Sequence, residues 1–357
     1  MTIRVVQWAT GNLGRASIEG VLSHPDLSLV GVWVHSPEKV GKDAGELSGH
    51  PEHITGVKAV NSLEAVIDLK PDALVYSPLL PVESEVEALL CAGINVITPL
   101  GWFYPKHLDT SCLDAACTAG QATLHGTGIH PGGMTEKLPL IMSGFSRAVS
   151  FVSCDEFSDV RTYGAPDVLE HIMLFGKSRE EAEQSLMLKF MGDGFCQSLS
   201  MLADALGFQL DPEFRAEHDI ALATGPIDSP MGLLDTGQVA AQRFTWHGCV
   251  AGEPVMSTSV NWYMGFENIE DDWFDAEAIT AKGECYEMHV EADPPVHITL
   301  HGVHPSRDLP WQDVQQRNPG MVATAMHCVN SIPAVCAAAP GIKTYLDINM
   351  VYGRALG

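Results

Sequence analysis

The stretch ATGNLG at 9–14 directly follows a short apolar run near the start of the sequence. The stretch matches the dinucleotide-binding pattern G-x-G-x-x-G, with alanine in the first place. Gly11 would let the backbone approach a pyrophosphate, and Gly14 would let the next helix pack tightly on the strand. Because amides at a helix N-terminus attract anions, we predict a cofactor-binding turn; the alternative is a plain strand-to-helix turn. The predicted contacts are Ala9, Thr10, Gly11, Asn12, Leu13 and Gly14.

The tip of the second predicted strand indicates which dinucleotide is bound. Sites that prefer NAD carry a carboxylate there, which binds the 2′-hydroxyl of the adenosine ribose. This chain reads VHSPEKVGK, with His35 and Ser36 at the tip and Lys39 nearby, and its first carboxylate, Glu38, falls beyond Pro37. A hydroxyl and a cation suit a 2′-phosphate, so we expect NADP, with NAD tolerated. The alternative is that the lysine is a solvated loop residue.

A further strand, 72–78, ends in Ser77 and Pro78. Ligands of parallel α/β sheets bind outside the carboxyl ends of the strands. We therefore predict that these two residues contact the inner half of the cofactor. The alternative is that they only terminate the strand.

An aromatic loop, PLGWFYP at 99–105, follows the next strand. Trp102 and Phe103 are predicted to form a wall of the substrate cleft, which favours a substrate with a large apolar or flat body. Tyr104 carries the acidic hydroxyl of this loop, so it is a candidate proton donor. The alternative for it is a wall or structural contact.

Four residues further along the chain are candidates for the substrate site. His130, in GTGIHPGG, is predicted to point into the cleft or to cap the next helix. Arg161 is a candidate to bind a substrate carboxylate or carbonyl, with Tyr163 beside it. The alternative is an ion pair of this arginine with a carboxylate of the preceding strand: Asp155, Glu156 or Asp159. His171 is either catalytic or an ordinary histidine on the face of an amphipathic helix.

No metal site is predicted. The nine cysteines are scattered without a CxxC pair, which favours reduced and mostly buried thiols. His297, His301 and His304 do not form the HExxH spacing of zinc enzymes, so we expect surface histidines.

The pattern of predicted helices and strands changes near residue 132. Before it, short apolar strands alternate with helical segments, which is typical of a doubly wound parallel sheet. After it, long segments at 147–160, 237–252, 253–264 and 285–303 predict a mainly antiparallel sheet covered by helices. We therefore expect an α/β chain with a dinucleotide-binding domain over 1–132 and a substrate-binding and dimerisation domain over 133–318. An apolar helix over about 320–340 is predicted to pack back on the first domain.

Composition limits the partners. Twenty Lys and Arg against 45 Asp and Glu give a net charge of −25, which disfavours nucleic acids and anionic membranes. The N-terminus lacks the features of a signal peptide, so we expect a cytoplasmic protein with a small-molecule substrate. The strands between 237 and 303 are apolar at alternate positions, which predicts a homodimer formed through that sheet.

Several segments together resemble a known family: the glycine turn, SPEKVGKDAGEL at 36–47, YSP at 76–78, GTGIHPGGMTEKLPL at 126–140 and VNSIPAVCAAAPGI at 329–342. They resemble the dihydrodipicolinate-reductase-like NAD(P)-dependent oxidoreductases, in the branch of 2,4-diaminopentanoate dehydrogenase and the amine dehydrogenases. The resemblance implies a Rossmann domain, an α+β substrate and dimerisation domain, and hydride transfer between nicotinamide and a C=N bond.

Two segments depart from this family. The stretch APDVLEHIMLFGK at 165–177 has one histidine where dihydrodipicolinate reductases have a pair followed by lysine, and the 99–105 loop has no carboxylate where amine dehydrogenases have an acid. We therefore expect hydride transfer to a preformed C=N, C=O or activated C=C bond of a small, fairly hydrophobic molecule, with weak or no amination by ammonia. The alternative is a catalytically silent NADP-binding sensor.

Overall fold

The computed structural model describes residues 2–270, 285–301 and 318–355. The chain divides into two compact units, one formed by Met1–Gly133 with Met321–Gly357 and the other by Met134–Gly320. His304 lies outside the described residues, as does the end of the predicted strand at 285–303. None of the helices within the described ranges combines the length and the apolar composition needed to cross a membrane.

The first unit contains a seven-stranded parallel sheet in the order β15-β6-β5-β4-β1-β2-β3. Its strands are β1 (Ile3–Trp8), β2 (Leu27–Trp33), β3 (Ala59–Val60), β4 (Ala73–Tyr76), β5 (Asn95–Thr98), β6 (Thr123–Gly126) and β15 (Gly341–Ile342). Its helices are α1 (Asn12–Ser23), α2 (Ala44–Ser48), α3 (Leu63–Asp68), α4 (Glu83–Cys91), α5 (Ser111–Gly120) and most of α10 (Pro319–Cys336). The predicted doubly wound parallel sheet is confirmed.

Both faces of this sheet are buried, which explains the continuous apolar runs of its strands. Val5 packs with helices α1 and α10 on one face, whereas its neighbour Val6 packs with helices α4 and α5 on the other. Helix α10 approaches α1 closely, since a Cβ on Gly20 would overlap the Met326 side chain. The helix from the end of the chain is thus part of the first unit's core.

The second unit contains a six-stranded sheet in the order β14-β13-β7-β12-β11-β8. Its strands are β7 (Arg147–Asp159), β8 (Arg215–Leu222), β11 (Val239–Val250), β12 (Glu253–Tyr263), β13 (Cys285–Asp293) and β14 (Val296–His301), and a separate hairpin is formed by β9 (Ile227–Ser229) and β10 (Gly232–Leu234). Its helices are α6 (Leu138–Ser143), α7 (Pro166–His171), α8 (Arg179–Glu183) and α9 (Met187–Leu206). Strands β7 and β12 are parallel and the other neighbours in the six-stranded sheet are antiparallel, so the predicted mainly antiparallel sheet is confirmed.

The two faces of the second sheet differ in polarity. Phe195 of α9 stacks on Trp246 of β11 at 4.7 Å between ring centroids, so the apolar alternate positions lie against that helix. The opposite face carries the polar row Glu287, Asp155 and Ser259 on three neighbouring strands. The apolar alternation in the sequence therefore reflects packing against helices, with α9 on β8, β11 and β12 and α6 on β13, and the homodimer stays a prediction.

One predicted strand is two strands in the structure. The segment from 285 turns back between β13 and β14 at Asp293–Val296, where Pro294 and Pro295 interrupt the ladder. Proline has no N–H to donate to a neighbouring strand, so the sheet cannot continue through this point. The turn pairs residues of one half of the segment with residues of the other half.

Candidate functional site

The turn between β1 and α1 has the geometry of an anion-binding site. Gly11 is the N-cap of α1 and provides no side chain to cover the first amides of the helix. A Cβ on Gly14 would overlap the carbonyl oxygen of Ala9, so this close approach of helix to strand requires glycine. A Cβ on Gly11 would meet no described atom within 4 Å, which leaves the space for a phosphate open. The turn therefore fits the pyrophosphate of a dinucleotide.

Other residues of the turn are fixed by their positions in it. Ala9 has a φ of 75°, in the left-handed region that the usual glycine of this pattern occupies at lower cost. Thr10 is buried, and Asn12 and Leu13 are the first two residues of α1. The predicted contacts thus form one continuous turn.

A buried glutamine below the turn joins it to the next strand. The side-chain Nε2 of Gln7 lies 2.8 Å from the Trp8 carbonyl oxygen, 3.1 Å from that of Ala9 and 2.8 Å from Ser77 Oγ. The Ser77 hydroxyl in turn donates to the Trp8 carbonyl at 3.1 Å. Sequence reasoning missed Gln7, although a polar residue inside the apolar strand IRVVQW was a visible signal. Ser77 and the Pro78 that follows it are therefore held beside the glycine turn.

The predicted adenosine end of the site also meets this turn. Lys39 Nζ lies 3.3 Å from Thr10 Oγ1, so the lysine that is predicted to bind the 2′-phosphate lies beside the glycine turn. Ser36 is the N-cap of the short helix that contains Lys39, and His35 is exposed with its ring edge-on to Trp33. The Lys39 ammonium therefore lies beside the turn, and Ser36 is three residues before it in the chain.

The aromatic loop after β5 packs largely into the core of the first unit. Trp102 is 9% exposed and lies in the same apolar cluster as Trp8 and Tyr76. Phe103 is 3% exposed, whereas Tyr104 is partly exposed. The loop therefore offers a ligand less apolar surface than the sequence predicts, and Tyr104 is its accessible polar residue.

A polar cluster that sequence reasoning missed lies where β6 and β15 end. The Tyr345 hydroxyl is 2.6 Å from His327 Nε2 and is also hydrogen-bonded to the Thr127 hydroxyl. Thr127 directly follows β6, and Tyr345 comes three residues after the parallel strand β15. The cluster is therefore at the carboxyl edge of the sheet, where ligands of this fold bind.

His125 and Gly133 border this cluster. The His125 ring stands edge-on to Tyr345 at 5.2 Å, and burial lowers the pKa of His125 to about 4, so it is neutral at pH 7. A Cβ on Gly133 would lie 3.1 Å from His327 Nε2, so the glycine leaves room for this ring. The predicted substrate residue His130 is partly exposed and lies three residues before Gly133, in the segment after β6 that we call the connecting segment (127–133). No simple sequence signal links Tyr345 to Thr127, because 218 positions separate them.

Three of the predicted catalytic or substrate residues lie in the second unit. Arg161 Nε lies 2.9 Å and Nη2 2.5 Å from the two carboxylate oxygens of Asp159, which is the structural ion pair set out above as the alternative. The His171 side chain is 63% exposed and 4.0 Å from Glu170. Tyr163 is partly buried, and burial raises its pKa.

A carboxyl beside Tyr163 is a further polar group of this unit. Trp262 Nε1 and Ser158 Oγ donate to Glu156 Oε1 at 3.0 and 2.9 Å. Burial raises the pKa of Glu156, so this carboxyl holds its proton at higher pH than an exposed glutamate. Sequence reasoning considered it only as an ion-pair partner for the nearby arginine.

A second buried carboxyl lies just after the connecting segment. Glu136 is fully buried and accepts a hydrogen bond from Ser198 Oγ at 2.5 Å. Its other oxygen, Oε2, has no hydrogen-bond partner among the described residues. Burial raises the pKa of Glu136 to about 8, so the protonated form predominates at neutral pH.

Comparisons with known proteins give a consistent result. No family model matches the chain. An amine dehydrogenase from Streptomyces virginiae is 30% identical over 365 aligned positions, covering 97% of this chain and 96% of that protein. A 2,4-diaminopentanoate dehydrogenase from Acetoanaerobium sticklandii is 23% identical and covers 97% of this chain and 93% of its own length. The solved structure of an amine dehydrogenase from Mycobacterium smegmatis, 20% identical, aligns over 99% of this chain and 98% of that one with a TM-score of 0.77, which supports the same fold.

Proposed function

The chain belongs to the dihydrodipicolinate-reductase-like NAD(P)-dependent oxidoreductases, in the branch of the amine dehydrogenases, and from that premise we propose that it is an NADPH-preferring reductase. The bond reduced is a preformed C=N, C=O or activated C=C bond of a small, fairly hydrophobic molecule. Because the relatives are named as dehydrogenases that act on amines, C=N is the first bond to test. Family membership favours this enzyme over the catalytically silent sensor.

The cofactor half of the proposal rests on the glycine turn. Gly11 leaves room for the pyrophosphate at the start of α1, and Gly14 allows the helix to pack closely on the strand. Lys39 beside Thr10 supplies a cation for a 2′-phosphate. The reduced nicotinamide supplies the hydride when it is bound. In a chain of net charge −25, this lysine and the helix N-terminus provide the local positive potential that the phosphates need.

The hydrogen bond between Tyr345 and His327 is the observation that carries the chemical half. When a hydride reaches the carbon of a C=N or C=O bond, the heteroatom must receive a proton. A tyrosine hydroxyl has an unperturbed pKa of about 10 and is therefore a donor at neutral pH. Tyr345 gives its proton to the nitrogen or oxygen, and His327, 2.6 Å away, returns a proton to the phenolate. Thr127 holds the phenol in place.

The aromatic loop disfavours formation of a C=N bond from a ketone and ammonia. Amination of a ketone needs a base that takes protons from ammonium, and a carboxylate is suited to that step. The loop at 99–105 contains none, and its Tyr104 is a donor rather than a base at neutral pH. We therefore expect weak or no amination by ammonia.

Steady-state oxidation of NADPH tests the proposal. A panel of cyclic imines, enones and ketones, the ketones with and without ammonia, is expected to give turnover on at least one preformed bond. Tyr345→Phe should lower kcat at least about 100-fold and leave the Kd for NADPH unchanged. Tyr104→Phe is the matched control and should retain activity. Tight NADPH binding without turnover on any compound would support the sensor, and equal loss in both variants would reject Tyr345 as the donor.

The assembly is proposed to be a homodimer formed through the second unit's sheet. Its long strands β7, β11 and β12 give a broad polar surface opposite the face that α9 covers. Light scattering at micromolar concentration is expected to give twice the chain mass of 38.5 kDa. A mass equal to that of one chain would reject the homodimer.

A further inference from the structure

We propose that Glu287, His289 and His297 form a binding site for a divalent transition-metal ion on the second sheet, separate from the proposed oxidoreductase chemistry. One ligand atom from each of these side chains lies within 4.8 Å of the other two. His289 Nε2 is 3.8 Å from Glu287 Oε2, and the rings of His289 and His297 stack with centroids 3.9 Å apart. The three ligand groups therefore lie close together on one face of the hairpin.

Strand pairing brings these three side chains together. Glu287 and His289 are two residues apart on β13 and therefore project from the same face. His297 of β14 is the cross-strand partner of His289 in the hairpin. The sequence spacing alone predicted no metal site, because the reversal of the chain at Pro294 and Pro295 is needed to bring the second histidine back.

The ligand set selects the class of ion. Two imidazoles and one carboxylate, with water in the remaining position, are a common set of ligands for zinc. Metal–ligand bonds of about 2.1 Å place tetrahedral ligands about 3.4 Å apart, so small side-chain rotations would close the present separations. Alkaline-earth ions prefer oxygen ligands and are disfavoured.

The surroundings favour a cation and leave room for one. A cavity of about 240 Å³ lies against both histidines and Ser153. Asp155 is the β7 partner of Glu287 and lies near enough to His289 for the two groups to interact electrostatically. The Thr299 hydroxyl is 3.3 Å from His297 Nε2 and can orient that ring, as outer partners of metal-binding histidines do.

A second cluster in the described residues is a weaker candidate and supplies a control. His50, Glu52 and His53 also lie within 4.8 Å of one another. Both ring nitrogens of His50 are already near carboxylates, at 3.2 Å from Glu19 and 3.3 Å from Glu52. Metal binding there would have to break at least one of these contacts.

Calorimetric titration of the EDTA-treated full chain with ZnCl2 at pH 7.5 tests the site. We expect one site per chain of micromolar or tighter affinity, weakened at least about tenfold in His289→Ala and in His297→Ala. Glu287→Gln should weaken it less, since both imidazoles remain. The double variant His50→Ala/His53→Ala should bind as the wild type does. The same comparisons in a Cys91→Ser/Cys112→Ser background remove the two exposed thiols as zinc ligands.

Three results would contradict the proposed metal site. Absence of zinc binding by the wild type, unchanged affinity in both histidine variants, or loss of binding in the double control would overturn the site. Circular dichroism checks that each variant is folded, and the more conservative His297→Gln replaces His297→Ala if that variant is not. Co²⁺ in place of Zn²⁺ gives a second readout, because imidazole and carboxylate ligands produce visible absorption that should disappear in His289→Ala.

Discussion

The glycine turn of the first unit and the buried carboxyls of the second unit are assembled over very different distances along the chain. The turn takes its shape from residues 9–14, and a neighbour overlaps Gly14 only five positions away. Glu156 instead receives its hydrogen bond from Trp262, 106 positions away, and Glu136 from Ser198, 62 positions away. A site made by one turn can be identified in a sequence, whereas a site made by strand and helix packing needs the fold.

The buried carboxyl of Glu136 should produce a large change of stability with pH. Glu136 holds its proton more tightly in the folded chain, where its pKa is about 8, than in the unfolded chain, where it is 4.5. Its contribution to stability is therefore complete below pH 4.5 and is lost as the pH rises to about 8. Glu136→Gln should match the wild type at pH 5 and be more stable by about 4 kcal/mol at pH 8.5, as measured by urea unfolding.

An exposed glutamate provides the control for that measurement. Glu213→Gln, in a loop of the same unit, should leave the difference between the two pH values unchanged. If Glu136→Gln and the wild type lose stability equally between pH 5 and pH 8.5, the carboxyl is ionised in the folded chain and burial does not govern it.

A substitution at Gly11 tests whether the glycine turn binds the cofactor. Gly11→Val should weaken binding of NADPH and NADH at least about 100-fold, or about 2.7 kcal/mol, because the side chain would occupy the space left for the pyrophosphate. Thermal unfolding should change little, since no described atom lies within 4 Å of the new Cβ. Retention of cofactor affinity by a folded variant would show that the dinucleotide binds elsewhere.

A smaller effect separates the two cofactors. Lys39→Ala should weaken NADPH binding about tenfold, or about 1.4 kcal/mol, and leave NADH binding unchanged. The reason is that Lys39, beside Thr10, is the cation that we propose binds the 2′-phosphate. Lys42→Ala is the control, since Lys42 pairs with Glu46 at 2.7 Å. A wild-type Kd for NADH tenfold below that for NADPH would contradict the expected preference.

The fold was predictable where pattern and structure are both local. Alternation of strands and helices predicted the parallel sheet, which the structure confirms. The glycine turn predicted a nucleotide site, and the structure brings Lys39, one of its predicted residues, beside Thr10 of that turn. The segment from 285 was predicted as one strand because its alternation continues past Pro294, although the chain reverses there. Tyr345 and His327 carried no signal, since their partnership with Thr127 depends on two parallel strands meeting at one edge.

Transfer of deuterium from NADPH tests whether the protein reduces a preformed C=N, C=O or activated C=C bond. The protein is incubated with NADPH deuterated at the transferable position and with a cyclic imine, an enone, and a ketone with and without ammonia, and the products are analysed by mass spectrometry. We expect one deuterium on carbon in the product of a preformed imine, carbonyl or enone, and little labelled amine from ketone and ammonia. Labelled amine formed from ketone and ammonia as the main product would contradict the proposed reaction, and absence of label from every product would contradict hydride transfer to these bonds.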